Sequence, residues 1–342
     1  MKKTYGFGII GCGVISKWHA SAVENIENAA LIGAYDAFKP SAEKFAAEHG
    51  CRVFDTLEEM FDRKEIDIVC ICTPSGLHTP IAIQAADAGK NVVVEKPMAI
   101  TKDQISDLIA AVERNKIKLA VISQLRFTNA MQKVKSAIDN GELGRLLVGD
   151  VYMKYYRSPE YYASANWRGT WEMDGGGALM NQGIHGIDVL QYLMGGVKSV
   201  FGVCKTLARD IAVEDTASVV VEYKNGAVGT IQGTTCVEPG YPRYIEISGT
   251  RGTVMLKEDV VVRWDVDGKQ LDESRIPKGN YNSFRNPATF DLENHRRQIA
   301  DLIDAIENDR KPLVDVYEGK KPVEIILAAY ESSRLGKKIM LE

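Results

Sequence analysis

The chain has no run of about 18 or more apolar residues anywhere in its 342 positions, which excludes a helix of the kind that crosses a bilayer. It also has no basic run. Its 42 Lys and Arg residues are scattered among 46 Asp and Glu, for a net charge of −4, so neither nucleic acid nor an anionic membrane surface is implied as a partner. The six cysteines, at 12, 51, 70, 72, 204 and 236, keep no metal-ligand spacing. Cys70 and Cys72 fall in a buried-strand pattern and read as small core hydrophobes, so no metal is implied. Internal repeats, low-complexity linkers and a signal-peptide pattern are missing as well. Met1-Lys2-Lys3-Thr4 leads straight into a strand, and the expected location is the cytoplasm. A hydrophobic share of 45% supports a folded globular protein, and 342 residues exceed what one core comfortably holds. Two domains are expected.

Tyr5 to Glu24 read as an apolar strand, a glycine turn (Gly11-Cys12-Gly13-Val14-Ile15-Ser16) and a helix, and Asp36 closes the next apolar run. This order describes a dinucleotide site. The first glycine allows a tight turn, the second lets backbone approach a pyrophosphate, and the helix N-terminus offers N–H groups and a positive dipole to the phosphates. Ser16 stands where a third glycine is usual, and being small it still permits close packing of helix on strand. Gly11, Cys12, Gly13, Val14 and Ile15 are the expected cofactor contacts. The Asp36 carboxylate suits a ribose hydroxyl and repels a 2′-phosphate, which favours NAD over NADP, with Lys39 nearby softening that repulsion. His19 falls on the buried face of the first helix, with Ile15, Trp18, Ala22, Val23 and Ile26, and reads as a hydrogen-bonded core histidine.

Strand and helix patterns alternate to about residue 123. Short apolar strands run Ile68–Cys72, Asn91–Glu95 and Lys118–Ser123, and Thr56 with Glu59 and Thr101 with Gln104 have capping-box spacing. The fold class is therefore α/β: an N-terminal Rossmann domain with a doubly wound parallel sheet, residues 1–125. Residues 126–342 are expected to form an α+β domain with a large, mostly antiparallel open sheet. Its markers are a helix from Asn129 to Ile138, a strand from Leu146 to Tyr155, an aromatic loop, a helix from about Ala178 and an Asn225-Gly226 hairpin turn. Helices from about Phe290 to Glu307 and Val323 to Leu335 close the chain. Such a sheet has helices on one face only, and its other face is expected to join subunits into a homo-oligomer, a dimer or tetramer.

Two clusters carry the chemistry. Val92-Val93-Val94 ends in Glu95-Lys96-Pro97, placing a lysine at the C-terminal edge of the cofactor-binding sheet, where its ammonium can hydrogen-bond a reacting oxygen. Pro97 makes the Lys96-Pro97 bond a candidate for the cis form. The second cluster runs from Gly175-Gly176-Gly177 to Asp188. On its helix Asn181 and His185 are four apart and share a face. His185, with an ordinary pKa near ~6.5, is suited to take a hydroxyl proton as carbon-bound hydrogen leaves as hydride. Asn181 can position or hydrogen-bond, and Asp188 reads as a structural carboxylate tied to backbone or to a basic neighbour.

Gly11-Cys12-Gly13, Thr73-Pro74 with His78, Glu95-Lys96-Pro97, Trp167-Arg168, the glycine-rich stretch through His185 and Asp188, and Ala328-Ala329-Tyr330 occur in this order along essentially the whole chain. The set resembles the Gfo/Idh/MocA family of glucose-fructose oxidoreductase, inositol dehydrogenase and related sugar dehydrogenases. The resemblance implies NAD or NADP binding, an active-site lysine at Lys96 with Glu95 beside it at the cofactor, and a histidine at 185 four residues after a frequently acidic position. Here that position is Asn181, which moves the expected base to His185. The resemblance also implies that Thr73, Pro74 and His78 line the cofactor cleft with Gln124, and that Arg126, Trp167 and Arg168 reach substrate together with Lys96, Asn181 and His185. The expected reaction is hydride transfer between nicotinamide and a secondary ring hydroxyl or ketone of a sugar, cyclitol or nucleotide sugar. Two rivals share the scaffold: an NAD-retaining enzyme that cleaves glycosides by transient oxidation, and a non-catalytic NAD-sensing regulator.

Overall fold

The computed structural model describes residues 3–270 and 292–341, which form two compact units. The first contains strands β1 (Tyr5–Ile10), β2 (Ala29–Tyr35), β3 (Arg52–Val53), β4 (Ile68–Ile71), β5 (Asn91–Val94) and β6 (Leu119–Val121). They lie in the order β3-β2-β1-β4-β5-β6, every pairing parallel. All residues of β1 and β4 are buried, as strands covered on both faces require. Helices α1 (Ser16–Glu24), α2 (Lys39–His49), α3 (Leu57–Phe61), α4 (His78–Asp87) and α5 (Lys102–Asn115) make the crossovers. Local chemistry sets their ends: the Thr56 side chain accepts the Glu59 N–H, the Thr101 side chain accepts that of Gln104, and Gly50 ends α2 at φ 64°. The strand order reverses direction between β1 and β4, and the carboxyl ends of the strands at such a reversal are where ligands bind.

The first unit does not stop near residue 125. The chain from Leu292 to Lys320, with α9 (Leu292–Glu307), folds back into it, which corrects the expectation that everything after residue 125 belongs to the second domain. The reason is the exposed edge of β6. Gln298 of α9 receives the Ser123 N–H at 2.9 Å and donates to the Val121 carbonyl at 2.7 Å, while the Val121 N–H bonds the Val314 carbonyl. Ile299, Leu302 and Ile303 of α9 join the core built on Phe7, Ile9, Val23 and Val93. The expected start of this helix at Phe290 lies outside the described residues.

The second unit begins at Leu125 and takes up the chain again from Lys321. Its helices are α6 (Asn129–Asp139), α7 (Pro159–Ala163) and α8 (Ile184–Met194), with the later part of α10 (Val316–Leu335), a helix that starts seven residues before the expected Val323. Strands β7 (Leu146–Lys154), β8 (Val197–Lys205), β9 (Thr216–Tyr223), β10 (Val228–Thr234), β11 (Tyr244–Gly249), β12 (Gly252–Lys257), β13 (Val260–Val266) and β14 (Ile339–Met340) form one sheet. The order is β13-β12-β11-β7-β10-β9-β8-β14, mostly antiparallel, with β7 and β10 parallel. The β9–β10 hairpin turns at Asn225-Gly226 as expected, Gly226 having φ 86°. Gly186 lets α8 lie close on β7, since a Cβ there would come within 2.5 Å of the Met153 sulfur. On the opposite face Tyr152, Phe201, Val203, Val220 and Val228 stay exposed.

Candidate active site

In the first unit the expected cofactor residues collect at one edge of the sheet, each just past a strand end. Gly11 follows β1 at φ 89°, where a Cβ would press on the Cys72 and Thr73 backbone at 2.9 Å. Gly13 faces open space: a Cβ there would meet nothing within 4 Å, which leaves the turn accessible to a ligand. The fully buried Ser16 hydroxyl donates to the Gly13 carbonyl at 2.6 Å, so the residue replacing the third glycine ties the turn to α1. Asp36 lies against the turn, one oxygen receiving the Cys12 N–H at 2.7 Å and the other that of Phe38 at 2.8 Å. Burial and then the Asp36 charge push the Cys12 thiol up to about 12, which keeps it protonated and unreactive. Thr73 follows β4 and Gln124 follows β6. The Thr73 hydroxyl and the Gln124 side-chain carbonyl are buried with no hydrogen-bond partner among the described residues. An open glycine turn at a helix N-terminus, a carboxylate beside it and two unpaired polar groups on the same strand edge fit a dinucleotide.

Two expected contacts turn inward instead. His78, fully buried at the start of α4, lies between the carbonyls of Pro97 at 2.7 Å and Thr73 at 2.8 Å, and burial lowers its pKa. It ties together the turns after β4 and β5 and presents no ring nitrogen to a cleft. Glu95 is also buried, bonding His19 at 2.8 Å on one oxygen and the Lys96 N–H at 3.2 Å on the other, so its carboxylate holds the protein interior. His19 is the core histidine that its helical spacing predicts. Lys96 itself is half-buried, and the Lys96-Pro97 peptide is cis.

In the second unit the helix expected from Ala178 begins as a π-type turn, Ala178–Gly183, before α8. Glycine and a buried carboxylate account for the widening. A Cβ on Gly177 would come within 1.9 Å of the Glu214 carbonyl oxygen, and one on Gly183 within 2.9 Å of the Ala178 oxygen. The Glu214 carboxylate receives the N–H groups of Gly177 at 2.9 Å and Leu179 at 2.8 Å, and the Tyr330 hydroxyl at 2.9 Å. Burial nonetheless pushes its pKa up to about 7. Such turns recur at functional sites because they re-aim side chains.

Asn181, on this turn, donates to Asp174, a residue 2% exposed, and accepts from Gln182 Nε2 at 3.0 Å. Gln182 continues the network to the Tyr161 hydroxyl at 2.8 Å and accepts from Arg157 at 2.8 Å. Arg168 donates to the same Tyr161 hydroxyl at 2.6 Å and lies over the rings of Tyr161 and Trp167, 4.3 and 4.6 Å from their centroids. Its Nε has no hydrogen-bond partner among the described residues. Trp167, Arg168 and Asn181 thus belong to one wall, and His185 follows four residues after Asn181, half-buried at the second position of α8.

Arg126 corrects the expectation of substrate contact. Its guanidinium is fully buried, paired in two-pronged fashion with Asp188 at 2.9 and 2.6 Å and lying 4.4 Å from the Tyr192 ring centroid. Asp188 is accordingly the structural carboxylate that was expected. Reading the sequence missed Asp174, Gln182, Glu214 and His295. Asp174 adjoins the glycine run and was discoverable there; nothing near Glu214 or His295 in sequence announces what they touch.

The comparisons with known proteins agree with this geometry. Residues 5–123 match the oxidoreductase family with an NAD-binding Rossmann fold, and residues 131–255 match the GFO/IDH/MocA C-terminal domain. The chain belongs to the Gfo/Idh/MocA oxidoreductase family. The WlbA dehydrogenase of Bordetella pertussis, solved with NADH and UDP-GlcNAcA, is 33% identical with a TM-score of 0.89, covering 99% of each chain. Glucose-6-phosphate 3-dehydrogenase of Bacillus subtilis is 28% identical over 97% of this chain and 96% of its own. Inositol 2-dehydrogenase of Rhizobium meliloti is 29% identical over 73% and 75%. This family member is an NAD-dependent oxidoreductase. No helix among the described residues is long and apolar enough to cross a membrane.

Proposed function

We propose that this chain is a dehydrogenase that oxidises a secondary ring hydroxyl of a sugar-type substrate, reversibly, with a nucleotide sugar as the favoured class. Support comes from the relatives, which are named for work on inositol and glucose 6-phosphate or were solved with UDP-GlcNAcA. The observation that carries the reading is the pinning of Asn181 by Asp174 and Gln182, one turn before His185, in a wall of aromatic rings and guanidinium groups. Rings of this kind stack on pyranose faces, and the amide and guanidinium groups hydrogen-bond hydroxyls.

Gly11 to Ile15, Asp36, Thr73, Pro74 and Gln124 would hold NAD, which supplies the hydride acceptor when bound. Lys96 donates a hydrogen bond to the reacting oxygen and stabilises the negative charge that develops there. His185 takes the hydroxyl proton at an imidazole nitrogen, a contribution of roughly 10²–10⁴-fold. Asn181 fixes the ring, and because Asp174 holds its amide it reorganises little during the reaction. The exposed strip of Tyr152, Phe201, Val203, Val220 and Val228 joins subunits in a homo-oligomer through the sheet face.

A panel of polyols, sugars and nucleotide sugars with NAD and NADP, read at the absorbance of reduced nicotinamide, tests the reaction. Net NADH with a free or nucleotide-linked sugar supports it. Glycoside cleavage without net NADH favours the glycoside-cleaving rival, and NAD binding with no hydride transfer across the panel would favour the sensor.

A further inference from the structure

Before Lys96 stands a buried charged cluster that the proposed chemistry leaves unused. His19 of α1 is fully buried, with Nε2 2.8 Å from one oxygen of Glu95, while the other oxygen of Glu95 accepts the Lys96 backbone N–H at 3.2 Å. His295 of α9 completes the group. It too is fully buried, edge-on to His19 with centroids 5.8 Å apart, and ligand atoms of His19, Glu95 and His295 all lie within 4.8 Å of one another. Cys70 on β4 and Cys72 just past its end face His19, and His78 on α4 bonds the Pro97 carbonyl just past the lysine. Two helices therefore converge on the one carboxylate that immediately precedes Lys96.

Within the group, Glu95 and His19 favour opposite charges. Burial pushes the Glu95 carboxyl up, but its hydrogen bond and proximity to His19, with His295 and Lys96 adding to them, bring it down to about 2. Burial also opposes charge on His19, yet Cys72, Cys70 and Glu95 together raise its pKa well above the ordinary histidine value. Displacing the Glu95-Lys96-Pro97 turn would break a desolvated ion pair, which is strongly unfavourable.

We propose that His19 and His295, acting through Glu95, are positioning residues that hold the Lys96 backbone in place and keep a fixed negative charge beside its ammonium. The inference rests on reading Lys96 as the group that binds the reacting oxygen. His295, some 200 positions along the chain from Glu95, would then tie α9 to the catalytic lysine as well as to the core.

The test compares full-length wild type with Glu95→Gln, His295→Gln, the conservative Glu95→Asp, and Lys96→Met as control, measuring NAD affinity, KM, kcat and the pH profile of kcat. Glu95→Gln and His295→Gln should leave NAD affinity and KM within about twofold and lower kcat on the order of 10- to 100-fold. In Glu95→Gln the limb of the pH profile that depends on Lys96 should also move to lower pH, because removing a negative neighbour disfavours the ammonium. Glu95→Asp should recover part of the loss. Full turnover in Lys96→Met would remove the reading on which the proposal rests. An inactive Lys96→Met beside wild-type kcat and pH profiles in Glu95→Gln and His295→Gln would leave that reading standing and overturn the positioning role. Should Glu95→Gln fail to fold, the kcat-against-KM split in His295→Gln decides, since that change leaves the His19–Glu95 pair in place. One equivalent of tightly held zinc in purified wild type, lost in His295→Gln, would also overturn the proposal by making the cluster a metal site.

Discussion

Replacing Arg126 with methionine separates a structural ion pair from a substrate contact. The Arg126 side chain is 0% exposed and that of Asp188 3%, with two charge-assisted hydrogen bonds at 2.9 and 2.6 Å and the Tyr192 ring over the guanidinium. Removing one partner leaves an unpaired buried charge, which destabilises by roughly 3–5 kcal/mol. A unit of this size loses about 2–4 °C of melting temperature per kcal/mol, so Arg126→Met should melt roughly 6–20 °C lower. Asp188→Asn should fall in the same direction. The double variant Arg126→Met with Asp188→Leu should recover most of the loss, because neither charge is then stranded and an apolar pair of similar volume replaces an ion pair at little net expense. Thermal melts by circular dichroism, confirmed by urea midpoints, measure this, and KM for the best substrate of the panel is measured at a temperature where every variant is folded. An Arg126→Met protein that melts within ~2 °C of wild type but shows a many-fold higher KM would refute the reasoning and return Arg126 to the substrate site.

Glu214 makes stability depend on pH in an unusual direction. Burial raises its pKa from 4.5 to about 7 against its hydrogen bonds, so the folded protein keeps a proton that the unfolded chain releases. Its contribution is full below about pH 4.5 and is lost as pH rises through 7, on the order of 3 kcal/mol in all. Unfolding midpoints from pH 5 to 8 should fall more steeply in wild type than in Glu214→Gln, and parallel curves would exclude the effect. Val220, 57% exposed at the centre of the apolar strip, is the position to charge: Val220→Lys should lower the mass seen by light scattering, and a wild type that is already monomeric at micromolar concentration would refute the sheet-face assembly. Asp36→Ala should narrow the preference for NAD over NADP by about tenfold or more, through loss of an acceptor and of a repulsive charge, and an unchanged ratio would remove Asp36 from cofactor choice.

Most of the architecture was legible because it rests on local rules. Apolar runs of parallel-strand length, glycine at Gly11 and Gly50, and threonine caps at Thr56 and Thr101 each act within a few residues, and the six-stranded sheet assembles where they indicate. The return of α9 to the first unit was hidden because its cause is the unpaired edge of β6, a property of the finished sheet. The π-type turn was hidden for a similar reason: Gly177 shows that something approaches closely, but not that it is the backbone and carboxylate of Glu214.

The candidate site divides along the same line. Lys96, Asn181 and the glycine turn could be named because a strand end, a helix and a Gly-x-Gly each announce a chemical position in advance. His78, Glu95 and Arg126 come after the ends of β4, β5 and β6, and the family resemblance assigned the first two to the cofactor and the third to substrate; the structure gives each an internal partner instead: two backbone carbonyls for His78, His19 for Glu95, Asp188 for Arg126. The Thr73 carbonyl is local to His78, but Pro97, Asp188 and His19 lie 19, 62 and 76 residues from their partners, beyond the reach of any helical or strand period. A buried polar group beside a binding edge that the interior leaves unpaired is satisfied when a ligand supplies its partner. Thr73 and Gln124, buried with unpaired oxygens among the described residues, meet that condition, and they are the residues on this edge where polar truncation should weaken NAD binding while leaving the melting temperature nearly unchanged.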